Sequence, residues 1–382
     1  MAAAVTLAGR GVPVTVFESG PLPGGRARRV KTEGRDLDNG QHILVGAYTE
    51  LLRLMREVGA PGDALLRLPL QLRYADGFRF RGARDLLFSS RIPWRERLDA
   101  VRFFLFLRKS GFRLPEDISV ARLLERHGQN GVLGHYVWRP LCVSALNTPP
   151  ERASAQVFAA VLRDTLAGPR GASDLLLPRV DLSRLFPEPA CEFVAARGGE
   201  IRLGSPVRSL KELQENFPAV IVAVGPHQLK TLLPERAPEY DYQPIYTCFL
   251  QYPGSLALPS PMLGLAEGLV QWVFDRSALT GEAGLAACVI SAQGDHQQMA
   301  QDELAAACHR ELQAALGALP DPQWSRVIAE KRATIACGAG LRRLDFRIGD
   351  GLLLAGDYLD PDYPPTLEAA VRSGIRAARE LS

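Results

Sequence analysis

The sequence predicts an α/β protein built on a doubly wound parallel sheet, with a second α+β domain inserted into it. Three stretches carry that prediction. Leu352-Leu353-Leu354-Ala355-Gly356-Asp357 is a short apolar run of buried-strand length that ends in Gly-Asp. Pro364 and Pro365 fix a turn behind it, and Thr366 stands where it can cap the next helix, so strand, Gly-Asp and helix start together form an anion site. Residues 219–224 form an unbroken apolar strand, as expected where a parallel sheet is covered on both faces. Residues 12–18 read as a further strand that ends in an acid, Glu18, after a short helix over residues 2–8.

Composition narrows the class. The 382 residues suffice for two domains with real cores, and 47% hydrophobic with 23% charged residues is ordinary globular usage. A net charge of +3, from 45 basic and 42 acidic residues, argues against a nucleic-acid partner. Cysteines 142, 191, 248, 288, 308 and 337 include no Cys-x-x-Cys, and no two of the six histidines lie three or four apart. Neither a disulfide framework nor a metal site is expected, which suits a reducing cytoplasm. No stretch approaches the roughly 20 apolar residues of a membrane span, no signal peptide is expected, and no Gly-x-Ser-x-Gly elbow is present.

The first forty residues point to a nucleotide. Residues 2–18 read as the second half of a dinucleotide-binding βαβ unit, with Glu18 placed for a ribose hydroxyl. The first strand and its Gly-x-Gly-x-x-Gly turn are expected just ahead of Met1, and the sequence lacks them. The stretch is therefore either an ordinary αβ unit with an acidic end or a chain that starts late. Gly24-Gly25-Arg26 follows; the glycines let backbone approach a phosphate and Arg26 brings a fixed charge. Asp36-Leu37-Asp38-Asn39-Gly40-Gln41-His42 reads as a polar turn, either a solvated loop or a lining of the cofactor, before the apolar Ile43-Leu44-Val45.

On these motifs the chain resembles the amine oxidase and phytoene desaturase superfamily of FAD-dependent oxidoreductases. The resemblance implies a Rossmann-like FAD-binding domain of the amine oxidase type, with Gly24, Gly25, Arg26 and the loop through Gly40 along the pyrophosphate and flavin ring. It also implies that the Val207 backbone meets the adenine, within a strand expected over residues 205–210. Gly356-Asp357 resembles the flavin motif in which the Asp reaches the ribityl and pyrophosphate region. The helix opening at Thr366-Leu367 would aim its N–H groups at the flavin N1/O2 edge, where charge collects on reduction.

Between residues 50 and 185 the pattern becomes helical. Residues 48–58 predict an amphipathic helix, and Ala75-Asp76-Gly77 predicts a hairpin turn between residues 70–74 and 78–80. Residues 91–113 carry Trp94, Phe103, Phe104, Leu105, Phe106, Leu107 and Phe112 among seven basic residues, with Glu96 and Asp99 as the acids. This is either a helix that packs its aromatics inward or a peripheral membrane contact on the inner face of the cell membrane. In residues 138–155, Pro149-Pro150 stops one helix and Glu151-Arg152 opens the next, with Asn147 and Thr148 at the break, capping it or facing a cavity. This segment, with 177–187, resembles the hydroxysqualene dehydroxylases of hopanoid (triterpenoid) biosynthesis, also called squalene-associated FAD-dependent desaturases.

The remaining strand-like runs, 245–252, 268–275 and 285–291, with a helix over 296–317, predict a mixed sheet. The expected FAD-binding domain comprises residues 1–60, 188–230 and 335–382; residues 61–187 and 231–334 form the substrate domain. The resemblance implies reductive removal of the allylic hydroxyl of hydroxysqualene, a long isoprenoid held in an apolar tunnel. The departing hydroxyl needs a proton, and Asp38 and His42 are the donor candidates, polar residues that merely order the turn being the plainer alternative. A phytoene-type desaturase or isomerase would share every cofactor motif, and an amine oxidase would need an aromatic cage the sequence does not display. A flavin-free isoprenoid-binding protein is the alternative that the missing glycine turn keeps open.

Overall fold

A computed structural model describes residues 1–256 and 258–381 of the chain. Helix α1 (Ala2–Ala8) leads into strand β1 (Thr15–Phe17). Next come β2 (Arg29–Thr32) and β3 (Arg35–Asp38), an antiparallel hairpin that sets Val30 opposite Leu37. The polar turn expected over residues 36–42 is therefore half strand: Leu37 is buried in the hydrophobic core, and Asp38 against Leu182 N and Arg276. Helix α2 (Thr49–Glu57) buries Leu51, Leu54 and Met55, as its periodicity requires. The hairpin Leu72–Arg73 with Arg79–Phe80 also forms where the turn residues place it.

In the helical segment, α3 (Trp94–Lys109) buries Ala100, Phe103 and Leu107. Helix α4 (Arg139–Leu146) ends at Asn147, in the left-handed conformation at φ 45°. Helix α5 (Ala155–Leu166) starts later than Glu151, because Ser154 is its cap and accepts from Val157 N. No helix among the described residues is long and apolar enough to cross a membrane.

Strand β4 (Glu200–Arg202) pairs in parallel with β1, Ile201 opposite Val16. Residues 205–209 do not continue as a strand: Pro206 has no N–H for a ladder, and Ser209 already precedes the helix Leu210–Asn216. After β5 (Val220–Val222) the chain builds a five-stranded sheet from β6 (Tyr242–Gln251), β7 (Met262–Gly264), β8 (Trp272–Asp275), β9 (Leu285–Ser291) and β10 (Trp324–Ile335). Its order is β7-β8-β9-β6-β10 and every pairing is antiparallel, which corrects the mixed sheet expected. Strand β10 escapes sequence reading because Arg326, Glu330, Lys331 and Arg332 interrupt its apolar pattern. It forms one edge of the sheet, where one face and one rim meet water and charge is tolerated.

Helix α6 (Gln301–Leu316) covers this sheet with Leu304, Ala305, Cys308 and Leu312. The chain closes with β11 (Arg347–Gly349), β12 (Leu352–Leu354) and α7 (Leu367–Glu380). Strand β12 lies parallel to β5 and antiparallel to β11, and this three-stranded piece is not hydrogen-bonded to the β1–β4 pair. Two cores result. One, from Val5, Leu54, Val194 and Ile375, binds α1, α2 and α7 together; the other, from Phe103, Trp138, Phe158, Phe249 and Phe274, fills the inserted half.

Candidate functional site

The closing unit is tied down at both ends. Strand β12 is buried throughout, and just beyond it Gly356 N donates to Ser373 Oγ at 2.8 Å, which in turn donates to Ala370 O. Thr366 Oγ1 accepts from Ala369 N at 3.2 Å, the cap its sequence position predicts. Glu368, fully buried, accepts from Glu50 N at 3.1 Å and Leu51 N at 2.9 Å, so it caps α2 from α7, while Arg372 Nε holds its charge at 2.8 Å. Tyr48, whose hydroxyl burial pushes up to about 12, hydrogen-bonds Thr366. The first turn of α7 is thereby fixed in direction, with the N–H groups of Leu367 and Glu368 lacking an intrahelical acceptor, as at any helix start.

Arg26 reaches this unit from the Gly-Gly turn. Its Nη2 lies 2.8 Å from Asp357 Oδ1, and its Nη1 donates to Ala333 O. The carboxylate raises the guanidinium above its ordinary value. Gly24 has φ +110°, and a Cβ there would lie 2.8 Å from Pro187 Cγ, so both conformation and space require glycine. Asn39 Nδ2 bridges Arg26 O and Glu330 Oε2, each at 3.1 Å, which fastens the next loop to the same arginine.

That loop carries the proton-donor candidates. Gly40 has φ +106°, and the space its missing side chain leaves is bordered by Thr247 Oγ1 at 3.7 Å and His42 Cε1 at 4.0 Å from a notional Cβ. His42 Nδ1 is 2.9 Å from Gly40 O. A carbonyl only accepts, so Nδ1 carries the proton and Nε2 is the atom that gains one when the imidazolium forms. Burial holds His42 below its ordinary value, with Gly40 O and Asp38 pulling the other way. Asp38 has both oxygens engaged: Oδ1 accepts from Leu182 N at 2.7 Å and Oδ2 from Arg276 Nη1 at 3.1 Å. Burial raises its pKa against the pull of Arg276 and the Leu182 N–H.

Arg276 is itself buried, and it also donates to Gln41 Oε1 at 3.3 Å and pairs with Glu282 at 2.7 Å. No sequence signal pointed to it or to Thr247, which accepts from Gln41 N at 3.2 Å; Arg276 lies 238 positions from Asp38. Glu18 Oε1 accepts from Gly20 N at 2.7 Å, and Val207 is half-buried on its loop. Asn147 does not face a cavity. Its Nδ2 donates to Gln243 O, Pro244 O and Thr334 Oγ1, and its Oδ1 accepts from Ala292 N at 2.8 Å, so it latches α4 to the antiparallel sheet. Among the described residues no three His, Cys, Asp or Glu side chains gather as metal ligands.

An oriented helix start and a Gly-Gly turn beside a fixed cation are the kind of groups that the anionic middle of a dinucleotide requires. Fold and site together define an FAD-dependent oxidoreductase. The chain belongs to the flavin-containing amine oxidoreductase family, whose model matches residues 1–382. It is 27% identical over 410 residues to a hydroxysqualene dehydroxylase of Sinorhizobium fredii, covering 99% of this chain and 94% of that protein. It is also 27% identical over 421 residues to the hydroxysqualene dehydroxylase of Rhodopseudomonas palustris, with 99% and 94% covered. Among solved structures, an oxidoreductase from Methanosarcina mazei superposes with TM-score 0.76 at 14% identity, over 99% of this chain and 97% of that one.

Proposed function

We propose that the protein reductively removes the allylic hydroxyl of hydroxysqualene, giving squalene and water, in hopanoid biosynthesis. The observation that carries this reading is the similarity to hydroxysqualene dehydroxylases along nearly the whole chain. Residues 1–60, 188–230 and 335–382 serve as the FAD-binding unit, and 61–187 with 231–334 as the substrate unit. Glu18, Gly24, Gly25, Arg26, Gly40, Val207, Gly356, Asp357, Thr366 and Leu367 would hold the cofactor, Arg26 and the α7 start meeting its anionic groups.

Reduced FAD, when bound, supplies a hydride to the allylic carbon. What the chain must add is a proton for the departing oxygen, since hydroxide leaves poorly. His42 suits that role: its Nδ1 is fixed on Gly40 O, leaving Nε2 to carry the transferable proton, and burial makes the imidazolium a stronger acid. Asp38 biases His42 toward the cation while holding the loop through Arg276 and Leu182. Because the cation is the minor form at neutral pH, turnover should rise as pH falls below the ordinary histidine range.

Anaerobic single turnover with chemically reduced FAD and hydroxysqualene tests both levels. Squalene is the expected product, and His42→Gln should slow its formation at least about a hundredfold, the usual worth of a general acid. A chain that leaves hydroxysqualene untouched but desaturates phytoene has a different substrate. Equal rates for wild type, His42→Gln and Asp38→Asn would remove both residues from the chemistry. We also read residues 91–113 as a peripheral contact with the inner face of the cell membrane, where so apolar a substrate dissolves.

A further inference from the structure

Helix α3 is apolar on two opposite faces. Ala100, Phe103 and Leu107 are buried in the core of the inserted half. Trp94, Leu98, Val101 and Leu105, spaced by four, three and four residues, form a second stripe on the other side, and they are 67%, 41%, 40% and 58% exposed. Phe88, just upstream, is 79% exposed. Of the seven large apolar side chains exposed among the described residues, five thus fall between positions 88 and 105. A contiguous apolar stripe of this kind marks a contact surface rather than ordinary exposure.

The helix is also anchored on its inner side. Glu96 accepts from Leu133 N at 3.2 Å and Arg97 Nε donates to Ile92 O at 2.8 Å, pinning the inner side. The charges near the stripe are predominantly basic. Arg95, Arg102, Arg108 and Lys109 are exposed, and Arg95 lies over the Trp94 ring at 5.5 Å. Of the two acids, Glu96 is occupied by Leu133 and Asp99 pairs with Arg102 at 3.1 Å.

We propose that this face of α3 docks on an anionic lipid bilayer, with Trp94, Leu98, Val101 and Leu105 entering the headgroup–acyl boundary and Arg95, Arg102, Arg108 and Lys109 meeting lipid phosphates. An apolar stripe with an aromatic at one end and a cationic rim complements that interface in both polarity and charge. The proposal deepens the membrane reading of residues 91–113 and rests on it. Binding is read without substrate, so its failure leaves the dehydroxylase reading standing, and the converse.

The test is co-sedimentation of the full chain with vesicles of phosphatidylcholine, with and without added phosphatidylglycerol. The chain is expected to pellet with the anionic vesicles, less so as salt is raised. Trp94→Glu/Leu105→Glu should lower the partition by at least about tenfold with an unchanged thermal melt, because both side chains are exposed. Arg95→Gln/Arg102→Gln should lower it about tenfold on anionic vesicles only. Wild type that pellets with neither vesicle, or a Glu variant or Arg variant that binds anionic vesicles like wild type, overturns the proposal. So does a wild-type dimer that the Glu variant splits, which would assign the face to a second copy of the chain.

Discussion

Arg276 shows how much of the site is held by one side chain. Its guanidinium spans Asp38, Gln41 and Glu282, and both Arg276 and Asp38 are almost fully buried. Such a pair adds little over an apolar isostere, yet removing one partner strands a charge. Arg276→Met is expected to cost about 3–5 kcal/mol in urea unfolding, and Asp38→Asn on that background should recover part of the loss. Additive losses in the double variant would mean that the two residues do not act as a pair. The same clasp explains why Asp38 fits a positioning part better than a donor's: neither oxygen is free to approach a substrate without giving up a partner.

At the scale of elements, the closing helix concentrates the site's electrostatics. Thr366 caps α7, and Glu368 in its first turn caps α2, so two helix starts depend on two side chains two positions apart. Thr366→Ala should destabilise the fold by about 1 kcal/mol in denaturant unfolding. It should also weaken FAD binding, since the first-turn N–H groups lose their fixed direction; a variant with wild-type FAD affinity would show that this helix start is not a cofactor contact. Helix α3 makes a different point. A sequence rich in apolar residues all round admits two readings, inward packing or membrane contact. The structure accommodates the first on Phe103 and Leu107 and leaves a second apolar face outside on Trp94 and Leu105.

Over the whole molecule, four histidines whose rings are partly shielded from water set an acid limit on stability. His42, His127, His227 and His296 all have pKa values lowered from 6.5, burial being the largest cause in each. Below pH 6.5 the unfolded chain takes up protons that the folded one refuses, so stability is full above that value and lost as pH falls toward the folded values. Asp38, raised by burial, acts in the opposite sense, because the folded state takes up its proton first. Urea midpoints should therefore fall between about pH 7 and pH 5; a flat or rising profile over that window would contradict the desolvation assigned to these rings.

The fold class, the closing strand with its capped helix, the acid-ended first strand and the flavin were legible in the sequence because each is written in neighbouring residues. A buried run, a cap and a Gly-Gly-Arg turn are local patterns whose physics acts over one turn or one strand. The antiparallel order of the inserted sheet, the strand Trp324–Ile335 and the burial of Asp38 were not legible. Each depends on partners brought in from far along the chain, such as Gln251 opposite Trp324 or Arg276 beside Asp38. Which face of Trp94–Lys109 meets the core was likewise decided only when the rest of the chain packed against it, since both faces are apolar enough to be buried and there was core for one.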